Sequence, residues 1–245
     1  MDSYCILMDV NGQDVVVIQN TFPDKKIVEL LLILQAVKEA GAKTVTCVIP
    51  YMGYSRQERI FQSGEARSAK AIASVIGGMC DRVFTINVHT PEILKFFGCE
   101  ANDINGSREV VRYLKGFGPD MVIAPDEGSR DRCTLAANLL KVPVHVMKKV
   151  RIDGRTVETS SGQINVKGST AVILDDIIST GGTIATAANI LREGGAERVF
   201  AACTHGLFIE DAANRLRVCD DILSSDTLEG VFTRFSVAPA IADAL

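Results

Sequence analysis

Two adjacent carboxylates, Asp175 and Asp176, stand ahead of a turn of hydroxyls and glycines: Ser179, Thr180, Gly181, Gly182 and Thr183. Paired acids accept hydrogen bonds from neighbouring sugar hydroxyls or hold a hydrated divalent cation. The turn offers hydroxyls and backbone N–H groups where a helix begins, and there the macrodipole favours a phosphate. The elements that must position these groups are legible on either side. Ala171 to Leu174 reads as a strand covered on both faces, with the acids at its carboxyl end, and Ile184, Ala187, Ala188 and Leu191 follow at helical spacing. AVILDDIISTGGT, residues 171–183, thus has the make-up of a sugar-phosphate cradle. The competing reading is a strand-to-helix loop with capping acids.

Other candidate groups are dispersed. Arg56 and Gln57 follow Tyr51 and Tyr54 in a polar loop after the run TVTCVI (44–49), which suits stacking and hydrogen bonding to a purine nucleotide; exposed loop decoration is the alternative. His89 and Asp126 each lie just after a strand-like run, where ligands of an open α/β sheet collect. A capping or core histidine and a helix-capping aspartate are the plainer readings. The segment 146–164 carries Lys148, Lys149, Arg151 and Arg155, with Gly154 and Gly162 as flexible points, and reads either as a basic lid or as a solvated hairpin.

Short β-rich runs alternate with amphipathic stretches throughout. DVVVI (14–18), TVTCVI (44–49), RVFTI (82–86), MVIA (121–124), VHVM (144–147) and RVFAACT (198–204) read as strands. Ile27, Leu30, Leu31, Leu34 and Val37 form one helical stripe, and Ala69, Ile72, Ala73 and Ile76 another, each able to cover a sheet face. GCEANDING (98–106) breaks the pattern, with Asn105-Gly106 as a turn and Ser107 as N-cap of a helix through Tyr113. This places a domain boundary near Asn102 and gives two similar α/β units.

Composition narrows the class. The chain has 245 residues, 47% of them hydrophobic and 23% charged, with a net charge of −4. That charge offers no general attraction for nucleic acid, and no apolar run approaches the ~18 residues that cross a membrane. The seven scattered cysteines contain no CxxC pair and read as buried reduced thiols, in keeping with a cytoplasmic protein without a secretory leader. Tyr113, Phe117, Phe232 and Phe235 are expected in the core or an interface.

The string at 171–183 resembles the phosphoribosyl pyrophosphate motif shared by phosphoribosyltransferases and ribose-phosphate pyrophosphokinases. IPYMGYSRQERIFQSGEARSAK (49–70) is similar to the signature of the pyrophosphokinases, a block the transferases lack. NVH (87–89), PDEG (125–128), KVR (149–151), THG (204–206) and the terminal SVAPAIADAL follow in family order, so the resemblance runs from about Val10 to the end. It implies two phosphoribosyltransferase-like α/β domains with mainly parallel sheets flanked by helices. These are expected over 1–101 and 102–232, with the C-terminal helix (233–245) packing back on the first. The implied activity is transfer of pyrophosphate from ATP to the anomeric hydroxyl of ribose 5-phosphate, with Mg2+.

Residue roles follow from the same resemblance. Lys149 and Arg151 close over the triphosphate and stabilise the charge that develops on it, with Arg151 also reaching ribose 5-phosphate. Asp175, Asp176, Ser179, Thr180, Gly181, Gly182 and Thr183 hold the sugar phosphate. Arg56, Gln57 and Asp2 contact ATP, and His89 and Asp126 hold the nucleotide-bound metal. A nucleotide site shared between subunits implies a homo-oligomer. The chain departs from the family at its start, where most of an opening strand, helix and strand is expected to be absent, exposing a sheet edge and weakening ATP binding. It departs also at Asn87 and Ser129, where the family carries aspartate and glycine, which bears on metal affinity. A catalytically impaired regulatory homologue and a phosphoribosyltransferase are the alternative functions.

Overall fold

The computed structural model describes residues 5, 6, 8–151, 157–160 and 165–245, with 148–151 and 157–160 described by backbone alone. Asp2, Gly154, Arg155 and Gly162 lie outside these residues. The chain divides into two compact units, Met1–Asn105 and Gly106–Leu245.

The first unit runs β1 (Asp14–Ile18), α1 (Lys25–Glu39), β2 (Thr44–Ile49), α2 (Ser68–Gly77), β3 (Arg82–Ile86) and β4 (Glu100–Ile104). Its strands lie in the order β1-β2-β3-β4, all parallel. The first three have the bounds their β-branched, apolar sequences predict, because such side chains pack well on a pleated surface covered by helices. Both helical stripes turn inward: Leu30, Leu34 and Val37 of α1 and Ala69, Ala73 and Ile76 of α2 are buried against Val45, Cys47 and Ile49 of β2. The fourth strand corrects the expectation of a break at 98–106. Residues Glu100–Ile104 pair in parallel with β3, and Asn102 lies inside this strand opposite Phe84. Only Ile104 of the five is buried, so an edge strand with a polar surface carried no apolar run to announce it.

The second unit runs α3 (Ser107–Leu114), β5 (Met121–Ala124), α4 (Arg130–Leu140), β6 (Val144–Val146), β7 (Lys148–Arg151), β8 (Val157–Ser160), β9 (Thr170–Ile178), α5 (Gly182–Glu193), β10 (Arg198–Gly206), α6 (Ala212–Arg215), β11 (Asp221–Ser225), β12 (Thr233–Phe235) and α7 (Ala238–Ala244). Six strands form one parallel sheet in the order β12-β11-β10-β9-β5-β6, while β7 and β8 pair antiparallel as a separate hairpin. Period-two alternation divides the core. Ile123, Ala171, Ile173 and Ala201 pack with Ile184, Ala187 and Leu191 of α5 on one face. Val122, Val172, Leu174 and Ala202 pack with Val110 and Leu114 of α3 and Ala136 and Ala137 of α4 on the other. Ser107 is the first residue of α3 rather than its cap, a place taken by Gly106. The terminal helix α7 falls within this second unit and contacts α3.

Tyr113, Phe117, Phe232 and Phe235 are partly buried and pack against the core, Tyr113 with its ring 5.6 Å from Phe117 and 6.2 Å from Phe235, and Phe232 with its ring 4.7 Å from Phe208. All seven cysteines are free; Cys47, Cys80, Cys133, Cys203 and Cys219 are buried, whereas Cys5 is exposed, against expectation. Among the described residues no helix is long and apolar enough to cross a membrane.

Candidate active site

The sheet of the second unit sets the site. β5 leads through α4 to β6 on one side, and its neighbour β9 leads through α5 to β10 on the other. Adjacent strands that diverge in this way leave a crevice beyond their carboxyl ends, the usual ligand position in an open α/β sheet. Asp126 follows β5, and Asp175 and Asp176 lie on β9, so the topology draws together acids almost fifty residues apart. One expectation changes: β9 runs on through Ile178, so the acid pair sits inside the strand and not at its end. Ile177 and Ile178 are themselves good strand formers, and the ladder with β10 continues to Gly206.

Two residues remote in sequence from the acid pair, Ser129 and Arg132, organise it. Ser129 Oγ donates to Asp175 Oδ1 at 2.7 Å and lies 3.4 Å from Asp126 Oδ1, linking the interior of β9 to the segment after β5. The family's glycine could not make this bridge. Arg132, in the first turn of α4, places Nη1 3.1 Å from Asp175 Oδ1 and forms an ion pair with Asp176. Asp176 is buried, and its own N–H donates to Asp175 Oδ1 at 2.9 Å. Burial and the neighbouring Asp176 charge push the Asp175 carboxyl up to about 7, against the opposing pull of Ser129 and Arg132. Below the pair, the Cys133 thiol donates to the Leu174 carbonyl at 3.1 Å, and burial raises its pKa so far that it stays protonated.

The turn after β9 has its carbonyls occupied. Ile178 O accepts from the N–H groups of Leu207 and Phe208, Ser179 O from Ile209, and Thr180 O from the Arg215 guanidinium at 3.0 Å. Among the described residues nothing accepts from the N–H groups of Thr180, Gly181, Gly182 and Thr183. Gly181 has φ of 76°, and a Cβ there would stand 3.0 Å from Leu216, so glycine is required on both counts. A Cβ at Gly182 would meet nothing within 4 Å.

Lys149 and Arg151 lie on β7, their backbones opposite Thr159 and Val157 of β8. The remaining candidates belong to the first unit. Arg56 is exposed, whereas Gln57 donates to Glu65 at 3.2 Å. Glu65 also accepts the N–H groups of Phe61 and Gln62, which hold its carboxyl below the usual range and fold the loop around it. His89 is half-buried beyond β3. Asn87, two residues earlier, has φ of 44°, a left-handed conformation that asparagine and aspartate both tolerate, so this departure suits the backbone. Asp103 of β4 accepts the Val88 N–H at 2.9 Å and anchors the segment.

A Mg2+ ion fits the donors present. Among the described residues no three His, Cys, Asp or Glu side chains converge into a metal cage. This ion ordinarily takes only one or two carboxylates, completing its shell with water and substrate phosphates. Asp126, half-buried and within 3.4 Å of the Ser129 hydroxyl that also bonds Asp175, is a carboxylate that could hold such an ion.

Comparison with known proteins matches both units. Residues 3–79 match the family model described as the N-terminal domain of ribose phosphate pyrophosphokinase, and residues 105–240 match the phosphoribosyl transferase domain. The chain is 38% identical over 238 residues to a ribose-phosphate pyrophosphokinase of Methanopyrus kandleri, covering 94% of this chain and 82% of the relative. It is 39% identical over 244 residues to one of Methanosarcina mazei, covering 98% and 81%. The crystal structure of phosphoribosylpyrophosphate synthetase from Mycobacterium smegmatis superposes with a TM-score of 0.81 at 28% identity, over 98% of this chain and 84% of that one. With acids gathered where β5 and β9 diverge, a hydroxyl-and-glycine turn ahead of α5, and relatives of this kind along nearly its whole length, the chain belongs to the ribose-phosphate pyrophosphokinase family.

Proposed function

We propose that the protein joins ATP to ribose 5-phosphate, the anomeric hydroxyl attacking the β-phosphorus so that phosphoribosyl pyrophosphate forms and AMP leaves. The observation that supports this reading is the convergence of Asp126, Ser129, Asp175 and Asp176 at the divergence of β5 and β9, on the strand that leads directly into the Ser179–Thr183 turn. The carboxylates accept hydrogen bonds from the ribose hydroxyls, and the unpaired N–H groups at the start of α5 receive the 5-phosphate. Arg56 and Gln57, with Asp2, contact the ATP, and Lys149 and Arg151 close over its triphosphate, Arg151 also meeting the sugar phosphate. The chain's main contribution is placement of the reactants in line and of positive charge around the transferred group. Asp126 and His89 would hold Mg2+, which would supply positive charge against the triphosphate when bound. The assembly is a homo-oligomer.

The direct test supplies ATP, Mg2+ and ribose 5-phosphate and follows AMP. Formation of AMP that requires the sugar phosphate supports the reading. No AMP, with release of pyrophosphate from phosphoribosyl pyrophosphate and a purine base instead, identifies a transferase.

Proton linkage gives a second expectation. Ribose hydroxyls donate best to an ionised carboxylate, so binding draws the proton from Asp175, whose free pKa is raised to about 7. Affinity for ribose 5-phosphate is therefore expected to rise with pH up to about 7 and to level off above it. The ligand's own phosphate titrates near 6. Calorimetric titration of Asp175→Asn separates the two, because its profile should keep only the phosphate step. A variant profile identical to the unaltered one defeats the assignment.

Gly182 supplies a third. Because a Cβ there has open space, Gly182→Ala should unfold at the same or a slightly higher temperature than the unaltered chain yet bind ribose 5-phosphate about tenfold more weakly, since the methyl group occupies the phosphate's approach. Unchanged affinity would place the phosphate elsewhere.

A further inference from the structure

The amides of the phosphate turn can serve a ligand only if their peptide planes keep one orientation. In a trans peptide the carbonyl and the following N–H point in opposite directions, so whatever holds the carbonyl also aims the amide. Three consecutive planes are held here. The Ile178 carbonyl accepts from Leu207 and Phe208 and the Ser179 carbonyl from Ile209, all by backbone N–H, which aims the amides of Ser179 and Thr180 away from that strut. The third plane differs. The Thr180 carbonyl, whose plane carries the Gly181 N–H, accepts from a side chain, Arg215 Nη1 at 3.0 Å.

That plane is also the one most able to turn over. It adjoins Gly181 at φ of 76°, and glycine populates either sign of φ at little cost. A flip would withdraw the Gly181 N–H from the start of α5 and present a carbonyl oxygen to the phosphate. Leu216, fully buried and packed against Gly181, braces the turn from below but offers no hydrogen bond to the plane. Arg215 is additionally paired with Glu210 at 3.5 Å, with both side chains substantially exposed, so the guanidinium is not needed to fill the core.

We infer that Arg215 is a positioning residue that latches the Thr180–Gly181 peptide in its phosphate-binding orientation and so sets affinity for the 5-phosphate of the sugar substrate. The inference rests on the reading of the turn as the ribose 5-phosphate site. Its consequence is selective: loss of the latch weakens the sugar phosphate without touching the nucleotide or the chemical step.

The experiment compares Arg215→Ala, Arg215→Lys and Glu210→Gln with the unaltered chain, measuring KM for each substrate, kcat and thermal unfolding. Arg215→Ala is expected to raise KM for ribose 5-phosphate about tenfold or more, the scale of a charge-assisted hydrogen bond, with KM for ATP and kcat within about twofold. Arg215→Lys, which can still donate to the Thr180 carbonyl, should recover most of the loss, and Glu210→Gln should match the unaltered chain. Unchanged KM for ribose 5-phosphate in Arg215→Ala overturns the inference. So does a parallel loss for both substrates with a lower unfolding temperature, which would make Arg215 a general structural support. Calorimetric binding of ribose 5-phosphate by the unaltered chain tests the parent reading separately: no binding there defeats the site itself, whereas binding that ignores Arg215 defeats only the latch.

Discussion

Arg132→Ala is expected to destabilise the second unit by about 2–3 kcal/mol at pH 8, somewhat less than the ~3–5 kcal/mol of breaking a fully buried ion pair because the arginine is not wholly enclosed. Arg132 bridges Asp175 and the buried Asp176, and without it two carboxylates face each other where water has little access. Asp175 already titrates near 7, raised by burial and by its neighbour, and removing the guanidinium pushes it further up. A raised carboxyl pKa means that the folded state binds more protons than the unfolded chain between about pH 4 and the folded pKa. Stability therefore falls as pH rises through that window. Urea unfolding of Arg132→Ala should show a smaller loss at pH 6 than at pH 8. Adding Asp176→Asn to the variant should recover much of it. A loss below about 1 kcal/mol at pH 8 would show that the pair is solvated and the arginine dispensable.

Lys149→Ala carries the largest expected effect on turnover. If the ammonium meets negative charge that grows on the triphosphate as AMP departs, its removal should lower kcat on the order of a hundredfold or more, the scale of losing one preorganised charge partner. KM for ribose 5-phosphate should stay within a few-fold, because the proposed site for that ligand draws on β9, the start of α5 and Arg151 but not on Lys149. Single-turnover measurement separates the chemical step from product release. Turnover within about tenfold of the unaltered chain, roughly 1.4 kcal/mol of barrier, would remove Lys149 from the transition state.

Strands that carry apolar, β-branched runs were legible to the residue: β1, β2, β3 and β5 have the bounds their sequences predict. The misses share a physical cause. β4 is an edge with one buried residue, and β11 buries Ser224 and Ser225 in a string, DILSS, that looks like a loop because its interior is polar. β9 extends past the apolar run Ala171–Leu174 because Ile177 and Ile178 carry the strand through the two acids that interrupt it. At the candidate site, Asp175, Asp176 and the turn stand out because adjacent acids ahead of a hydroxyl-and-glycine string are unusual, whereas Asp126 is marked only by its place after a strand and by the family resemblance. Ser129 was noticed only as a departure from the family's glycine. Arg132 went unread, its one available signal being a cation in the first turn of a helix, where the dipole disfavours it unless a carboxylate lies opposite. Arg215 gave no signal, since its role depends on a carbonyl 35 residues away in the chain.

The placement of the β7–β8 hairpin has a consequence for how such a protein can change. It is inserted in the connection from β6, at the sheet's edge, back to β9, and it shares no ladder with either. Lengthening a connection of that kind adds only about 0.6 kcal/mol per doubling. The basic arm can thus be shortened, extended or rewritten while the scaffold that gathers the acids keeps its shape, leaving speed and durability open to separate adjustment.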